Sequence, residues 1–286
     1  MSSSTTPSDR LQLRLDSSGS AWRRLLFGLL LCGWITAGAA SAQDPSVLKG
    51  FQPDENFILE VNGERDEGAE IYVQQRLPAY LVLPSKASSP VLLVPRTKQV
   101  QAVHIMKMTR RPDGFLDLAP DAVYASRGQF ELEGTDLVFE IDGTRYTLKD
   151  KPALLGLKVA ADLKEYADSY VTLAQSYTPS ADALSKLEAE DREILVRVYF
   201  GSWCPFCQRY LPRMVRVADE LAGSKSKVAI DFYGFPQDFS QDSTARTMNI
   251  RSVPTGVVFI DGKEAGRIQS EEWQAPEKAV VEILGG

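Results

Sequence analysis

The sequence is poor in the residues that cross-link small extracellular folds and build zinc sites. It has three cysteines and one histidine among 286 residues, too few for a framework of several disulfides or for a cluster of zinc ligands. Glycine and proline, with 20 and 16 residues, are too scarce for a collagen-like or low-complexity chain. We therefore expect a globular protein without a metal site.

Basic residues are also fewer than acidic ones. The 32 basic side chains are outnumbered by 38 acidic ones, and the formal net charge is −6. No basic patch offsets this balance, which argues against a nucleic acid as a partner. The length suits one large domain or two small ones.

Long apolar runs are missing, and the most apolar segment is a short one near the N-terminus. Residues 25–35 are strongly apolar, but this run is shorter than the roughly 20 residues that cross a bilayer. It follows Arg23-Arg24 and precedes small residues that end in Ala40-Ser41-Ala42. This pattern is typical of a secretory signal peptide, residues 1–42, cleaved before Gln43. It predicts a periplasmic protein, with an uncleaved membrane anchor as the alternative.

Cleavage would remove Cys32 and leave one cysteine pair, Cys204 and Cys207. Residues three apart lie on one face of a helix, so their sulfurs can form a disulfide. If the helix starts at Cys204, the free amides and the helix dipole favour a thiolate there, and Cys207 is more sheltered. An exposed nucleophile beside a sheltered resolving thiol is what thiol–disulfide exchange requires. Half of a zinc site and an inert disulfide are the alternatives.

The part of the chain before the cysteine pair divides in two. Short β-branched and apolar runs predict strands at 57–61, 79–83, 91–94, 100–108, 137–141 and 144–148. Asn62-Gly63 and Asp142-Gly143 are two-residue hairpin signals. We interpret 43–150 as an antiparallel β-rich domain for recognition or dimerisation, with His104 as a structural strand residue. Residues 151–177 are interpreted as a helical connector, which Pro152 would begin.

From residue 178 strand and helix patterns alternate. Strands are predicted at 194–200, 228–232, 257–260 and 265–268, and helices at 208–221, 242–249 and 276–284. Such an order predicts an α/β domain over 178–286, with a mixed central sheet and helices on both faces.

The segment Phe200-Gly-Ser-Trp-Cys-Pro-Phe-Cys207 resembles the strand–loop–helix active site of the thioredoxin family. Pro212 matches the proline inside the family's active-site helix, and Val253-Pro254-Thr255 matches the segment that carries its cis-proline. The resemblance covers about 180–286 and leaves the β-rich domain unrecognised. It implies an exported thiol–disulfide oxidoreductase without a metal or organic cofactor.

The resemblance also implies roles for individual residues. Cys204 would attack the substrate disulfide, and Cys207 would resolve the mixed disulfide. Three residues would shape the site and tune its redox properties: Trp203, Pro205 and Phe206. Three would bind substrate, with Pro254 in the cis form and the backbone of Val253 free to pair with an extended strand: Val253, Pro254 and Thr255.

One position departs from the family. Val198 stands where thioredoxins carry a buried aspartate, so a carboxylate proton shuttle is not supplied from there. Pro205 has no backbone N–H and Phe206 has no polar donor, which favours a reductase or a mid-potential exchanger over a strong oxidant.

The implied partners are exported proteins with cysteine pairs and an upstream electron donor or acceptor. Two other functions stay open. A dimeric disulfide isomerase with a DsbC-like layout would dimerise through the N-terminal domain. A non-catalytic binding module would use the thioredoxin fold without the chemistry.

Overall fold

The computed structural model describes residues 48–74, 76, 78–87 and 89–285. The chain divides into two units, 1–42 and 43–286, and all described residues belong to the second. The predicted signal peptide and its cleavage site lie outside them. Within the described residues, every helix is too short or too polar to span a membrane.

Residues 51–150 form two antiparallel sheets and a small hairpin. The six-stranded sheet has the order β1-β4-β5-β6-β7-β10, the five-stranded sheet has the order β11-β12-β13-β2-β3, and β8 pairs with β9. The strands are β1 (Gln52–Pro53), β2 (Phe57–Val61), β3 (Glu64–Arg65), β4 (Glu70–Gln74), β5 (Ala79–Leu83), β6 (Val91–Val94), β7 (Gln99–Val103), β8 (Met108–Arg110), β9 (Leu116–Leu118), β10 (Val123–Gln129), β11 (Glu131–Glu133), β12 (Asp136–Ile141) and β13 (Thr144–Asp150).

The six-stranded sheet is buried on both faces, because its side chains alternate between two cores. In β5, Ala79 and Leu81 pack in the same core as Phe51. Val82 packs on the opposite face, in a core shared with Leu148 of the five-stranded sheet. Burial on both faces explains the nearly continuous apolar runs from which these strands are predicted.

Two-residue turns join the predicted hairpins. Asn62 and Gly63, between β2 and β3, have φ of 53° and 85°. Asp142 and Gly143, between β12 and β13, have φ of 50° and 77°. Two successive residues with positive φ match the twist of the flanking strands, so both hairpins form where the sequence predicts them.

The strand predicted at 100–108 is wrong beyond Val103. β7 ends there, and Ile105–Lys107 form a 3-10 helix. His104 therefore lies outside the strands: its ring is exposed and stacks on Tyr124 with a centroid distance of 3.9 Å. The alternation stops because three successive side chains from His104 to Met106 are exposed, which leaves no buried face for a strand to continue.

The C-terminal part contains a five-stranded mixed sheet of order β14-β16-β15-β17-β18. Its strands are β14 (Gly156–Lys158), β15 (Ile194–Phe200), β16 (Val228–Gly234), β17 (Thr255–Ile260) and β18 (Lys263–Ile268). The helices are α1 (Ala160–Tyr166), α2 (Asp168–Ser176), α3 (Ala181–Glu188), α4 (Pro205–Ala222), α5 (Ser243–Thr247) and α6 (Pro276–Gly285). The central strand β15 runs parallel to β16 and antiparallel to β17.

Both faces of this sheet carry helices, as the sequence predicts. Val196 and Val198 of β15 belong to the core that includes residues of α2, α3, α4 and α6. Tyr199 faces the other way and packs in a smaller core with Ala245 of α5. The residues of α4 thus lie over the main core, with the cysteine pair at the start of this helix.

Residues 151–177 are not a purely helical connector. β14 pairs antiparallel with β16, so this segment supplies an edge strand of the C-terminal sheet. Gly156 has φ of 74°, a conformation outside a right-handed helix. The helix starts only at Ala160, where the Asp162 carboxylate accepts the N–H of Val159. Apolar residues at 155, 157 and 159 have the spacing of a strand, which the helical interpretation missed.

Candidate active site

The cysteine pair lies where β15 gives way to α4. Cys204 is the N-cap of α4, with φ of −87° and ψ of 121°, and Pro205 is the first helical residue. Proline suits this position because its fixed φ matches the helix and its missing N–H would have no partner there. The preceding loop needs a glycine at position 201, because a Cβ on Gly201 would lie 2.5 Å from the Trp203 indole.

The two thiols differ in exposure. Cys204 is 7% exposed and Cys207 is fully buried, and both are free. The Cys204 sulfur lies 3.7 Å from the main-chain oxygen of Val253. The Cys207 sulfur accepts the N–H of Gly201 at 3.5 Å. The Cys204 sulfur is therefore largely enclosed but lies beside the loop before β17, whereas the Cys207 sulfur is inside the core.

The thiols also differ in ionisation. A hydrogen bond from the Cys207 thiol lowers the pKa of Cys204 to about 6, and the N–H groups of Cys207 and Phe206 act in the same direction against the effect of burial. Burial raises the pKa of Cys207 well above its usual range, and the neighbouring Cys204 raises it further. At neutral pH the pair is therefore a Cys204 thiolate beside a Cys207 thiol.

The residues predicted to shape the site surround Cys204. The Trp203 indole N–H donates to the main-chain oxygen of Phe235 at 3.0 Å, which fixes the ring beside the site. Pro205 is exposed, and Phe206 is 65% exposed and stacks on Tyr210 with a centroid distance of 6.5 Å. Phe206 thus gives the rim of the site an apolar surface.

The residues predicted to bind substrate lie on the loop before β17 and at its start. The Val253–Pro254 peptide bond is cis, and the Val253 oxygen lies within 3.7 Å of the Cys204 sulfur. Thr255 is buried, and its hydroxyl donates to the main-chain oxygen of Ser252 at 2.8 Å. The buried Thr255 side chain thus anchors the loop through Ser252, whereas the backbone of Val253 lies next to Cys204.

Tyr170 of α2 is a polar residue of this core that the sequence did not single out. It is 1% exposed and belongs to the same buried cluster as Cys204 and Cys207. Its phenol oxygen has no hydrogen-bond partner among the described residues. In the sequence Tyr170 and Ala174 have the four-residue spacing of one helical face, a pattern that indicates burial only.

A cleft of about 520 Å³ separates the start of α4 and α2 from the loop at 53–56 of the β-rich region. The carboxylate oxygens of Glu55 both accept the N–H of Ser169 in α2, at 3.3 and 3.2 Å. Asn56 accepts a hydrogen bond from Gln208 of α4. The β-rich region therefore contacts both helices that hold the core around the cysteines.

Metal-binding groups are not assembled in the part of the chain that the structure describes. No three side chains of histidine, cysteine, aspartate or glutamate lie close enough there to hold a metal ion.

Comparisons with known proteins concern the C-terminal part. Residues 178–282 match the family model of thioredoxin, and the match does not extend to the β-rich region. The sequence matches none of the curated proteins.

Several solved structures are similar to the chain at low identity. A thioredoxin from Fasciola hepatica is 24% identical, covering 35% of this chain and 89% of that one, with a TM-score of 0.26. Mitochondrial thioredoxin 3 from Saccharomyces cerevisiae is 21% identical, covering 38% and 98%, with a TM-score of 0.25. A protein of unknown function from Pseudomonas aeruginosa is 13% identical, covering 42% and 83%, with a TM-score of 0.34.

Proposed function

Residues 178–282 form a thioredoxin domain, and we propose that this domain makes the chain an exported thiol–disulfide oxidoreductase. Cys204 and Cys207 would reduce or exchange disulfides of other exported proteins. The electrons would come from, or return to, an upstream redox partner. The reaction needs no metal or organic cofactor, because both electrons are carried by the two sulfurs.

The ionisation difference between the two cysteines carries this proposal. A thiolate is the nucleophile in disulfide exchange, and the pKa of Cys204, lowered to about 6, keeps it ionised at neutral pH. The raised pKa of Cys207 keeps the second thiol protonated until it is needed. A purely structural dithiol has no use for this asymmetry.

The reaction follows from the same geometry. The Cys204 thiolate attacks a client disulfide, one client sulfur leaves as a thiolate, and a mixed disulfide joins Cys204 to the client. A client segment in extended conformation could pair with the backbone of Val253, 3.7 Å from the Cys204 sulfur. Cys207 then attacks Cys204, and the second client sulfur leaves.

Reduction of insulin with dithiothreitol as the electron source tests the chemistry. We expect the wild-type chain to accelerate insulin reduction, and Cys204→Ser to abolish the acceleration. Cys207→Ser should retain the first attack and accumulate mixed disulfides. If Cys204→Ser is as active as the wild type, the chain is a binding module and the proposal is wrong.

Export and clients can be tested in the producing cell. N-terminal sequencing of the protein should give Gln43 as its first residue if the signal peptide is cleaved there. Cys207→Ser should carry exported proteins in mixed disulfides, which mass spectrometry would identify. A chain that keeps residues 1–42 would favour the membrane-anchor alternative.

A dimeric isomerase is the second candidate, favoured by an exposed edge of the β-rich region. β10 is an edge strand of the six-stranded sheet. Tyr124 of β10 is 43% exposed, and Met106 of the 3-10 helix at Ile105–Lys107 is 91% exposed. Such an edge can pair with a second copy. Sedimentation of the full-length chain and of Met106→Lys should distinguish a dimer that dissociates in the variant from a monomer.

A further inference from the structure

The cleft of about 520 Å³ opens one residue from the nucleophile, and the proposed reaction does not use it. Its volume is within the range of about 300–1,000 Å³ that ligand pockets have. Pro205, which follows Cys204, lines the cleft together with Gln208 and Arg209 of α4. The loop before β17, with the predicted substrate-binding residues, is not among the described residues that line it. The cleft is therefore a second surface beside the same sulfur.

The β-rich region supplies one wall of this cleft, and that wall is bonded to the segment that carries the cysteines. The side-chain amide of Gln208 donates to Asn56 and also, at 2.7 Å, to the main-chain oxygen of Ser202. Across the cleft, Glu55 accepts the N–H of Ser169 in α2. These contacts hold the wall at 53–56 next to the start of α4.

This wall carries negative charge. Asp54 accepts the N–H of Asn56 at 2.7 Å, and Glu55 accepts a main-chain N–H of α2. A carboxylate that accepts one N–H has lone pairs left for further donors. A second cleft shares both carboxylates, and the exposed residues Glu165 and Asp168 also line it. The negative charge thus continues away from the cysteines.

The arginines of the two clefts offset little of this charge. Two of them form ion pairs with carboxylates of the same cleft, Arg65 with Glu67 and Arg110 with Glu70. The Arg209 guanidinium lies over the Tyr210 ring, 5.5 Å from its centroid. Asp54 and Glu55 are therefore left to pair with a cation from outside the chain.

An ammonium group is already stabilised on the wall that the two clefts share. The Tyr166 ring lines both clefts. The Lys151 nitrogen lies 4.2 Å from the centroid of this ring and donates to the main-chain oxygen of Tyr166. Burial lowers the pKa of Lys151, whereas Glu55 and Asp168 raise it. An aromatic face and carboxylates together are a suitable environment for a cation.

We propose that the cleft beside Pro205 binds a positively charged segment of the client, so that the chain selects disulfides flanked by lysine or arginine. The inference rests on the proposed function. A client segment that pairs with Val253 on one side of Cys204 would continue past Pro205 into the cleft, where its basic side chains would pair with Asp54 and Glu55. The β-rich region would then determine which clients react.

Two peptides test this selection with the reduced full-length chain. Each has one cysteine, joined in a mixed disulfide to 5-thio-2-nitrobenzoate, so that attack on the peptide sulfur releases a coloured thiolate. The peptides are identical except that the four residues after the cysteine are lysine in one and glutamate in the other. Four extended residues span about 13 Å. Each rate is divided by that of the same peptide with dithiothreitol, because nearby charges change the reactivity of the disulfide itself.

The uncoupled chemistry is measured with 5,5′-dithiobis(2-nitrobenzoate), which has no peptide segment. Attack by Cys204 releases one coloured thiolate from it, and resolution by Cys207 releases the second. This reaction shows whether the cysteine pair is active, independently of which peptide the cleft prefers.

We expect the wild-type chain to prefer the lysine peptide by about tenfold at low salt, and this preference should fall as salt screens the charges. Asp54→Asn and Glu55→Gln, which keeps an acceptor for Ser169, should each lower the preference by about two- to fivefold. Arg209→Ala removes a cation from the cleft and should raise it. Glu140→Gln, exposed on β12 and outside both clefts, is the matched control and should leave it unchanged.

The outcomes separate the inference from the proposed function. If the wild-type chain reacts equally with both peptides, or if its preference survives in both carboxylate variants, the inference is wrong and the proposed function stands. If the wild-type chain releases no thiolate from 5,5′-dithiobis(2-nitrobenzoate), the proposed function fails and the inference falls with it. Should Glu55→Gln not fold, the opposite shifts expected for Asp54→Asn and Arg209→Ala decide alone.

Discussion

The sulfur of Cys204 lies 3.7 Å from the main-chain oxygen of Val253, across the site from its own helix. The nucleophilic sulfur therefore lies beside the main-chain oxygen of Val253, which belongs to the loop before β17 and not to α4. A client strand that pairs with Val253 would approach the sulfur in a fixed orientation. The ionisation of Cys204 and its access to a client are thus set by two separate segments of the chain.

The Cys207 thiol is predicted to contribute most to the ionisation of Cys204, because its hydrogen bond is the largest cause of the lowered pKa. Cys207→Ala should raise the pKa of Cys204 by about 1–2 units relative to Cys207→Ser, since a hydrogen bond to a charged group contributes about 1.5–3 kcal/mol. Thiolate absorbance at 240 nm measures both values. Equal pKa values in the two variants would assign the ionisation to the helix amides.

The same pKa fixes the pH dependence of the wild-type chain. The thiolate fraction of Cys204 increases as pH rises through about 6, so alkylation of Cys204 should speed up from pH 5 to 7 and level off above. The pKa is depressed in the folded state, so the thiolate stabilises the fold above the unfolded pKa of about 8.5. This stabilisation is lost as pH falls through 6.

Histidine in place of Phe206 should make the pair more oxidising. Phe206 is 65% exposed and offers Cys204 no side-chain donor. A histidine there could place a positive charge beside the thiolate, which lowers a pKa by about 1–3 units when the charges are close. Stabilising the reduced form raises the reduction potential. Equilibration with glutathione should show this shift in Phe206→His and not in Phe206→Ala.

Much of the fold can be predicted from local pattern. All seven residues of the largely buried strand β15 except Arg197 are apolar or aromatic. The turn at Asp261 and Gly262 has the positive φ values of 50° and 78° that such a pair favours. The strand β14 could not be predicted in this way. It is short and lies at an edge, and its pairing with β16 is a contact over a long stretch of sequence.

In the site too, local features can be predicted from the sequence and long-range contacts cannot. The positions of Cys204 and Cys207 at a helix start follow from their spacing and from Pro205. The sequence attributes the low pKa to the helix terminus, whereas the hydrogen bond from Cys207 is the larger cause. The contact between Glu55 and Ser169 could not be predicted, because it depends on how α2 packs against the β-rich region.

A buried carboxylate on α6 is predicted to stabilise the C-terminal part. Glu277 is 1% exposed and accepts hydrogen bonds from the Tyr177 hydroxyl at 2.7 Å and the Ser180 N–H at 3.1 Å. Glu277→Ala leaves both donors without a partner and should lower the free energy of unfolding by about 2–4 kcal/mol. Glu282→Ala, exposed on the same helix, should change it by less than about 0.5 kcal/mol. Urea unfolding compares them, and equal midpoints would contradict the prediction.

The last prediction concerns where the thioredoxin domain begins as a folding unit. The family match starts at residue 178, but Leu163 and Tyr170 are buried in its core. Burying a large apolar side chain contributes about 1.5–3 kcal/mol, so their loss is comparable to a domain's total stability of about 5–15 kcal/mol. A fragment of residues 178–286 should therefore unfold at a much lower urea concentration than one of residues 151–286.

The longer fragment also isolates the contribution of the β-rich region. It keeps both cysteines and the helices that pack around them, so it should release the first thiolate from 5,5′-dithiobis(2-nitrobenzoate) at the rate of the full chain. Its second release should also keep the rate of the full chain, because the core that holds Cys207 is built entirely from residues after 151. A fragment of 178–286 that is as stable as 151–286 would show that β14, α1 and α2 are dispensable. A 151–286 fragment that releases the second thiolate much more slowly than the full chain would show that the β-rich region takes part in the chemistry.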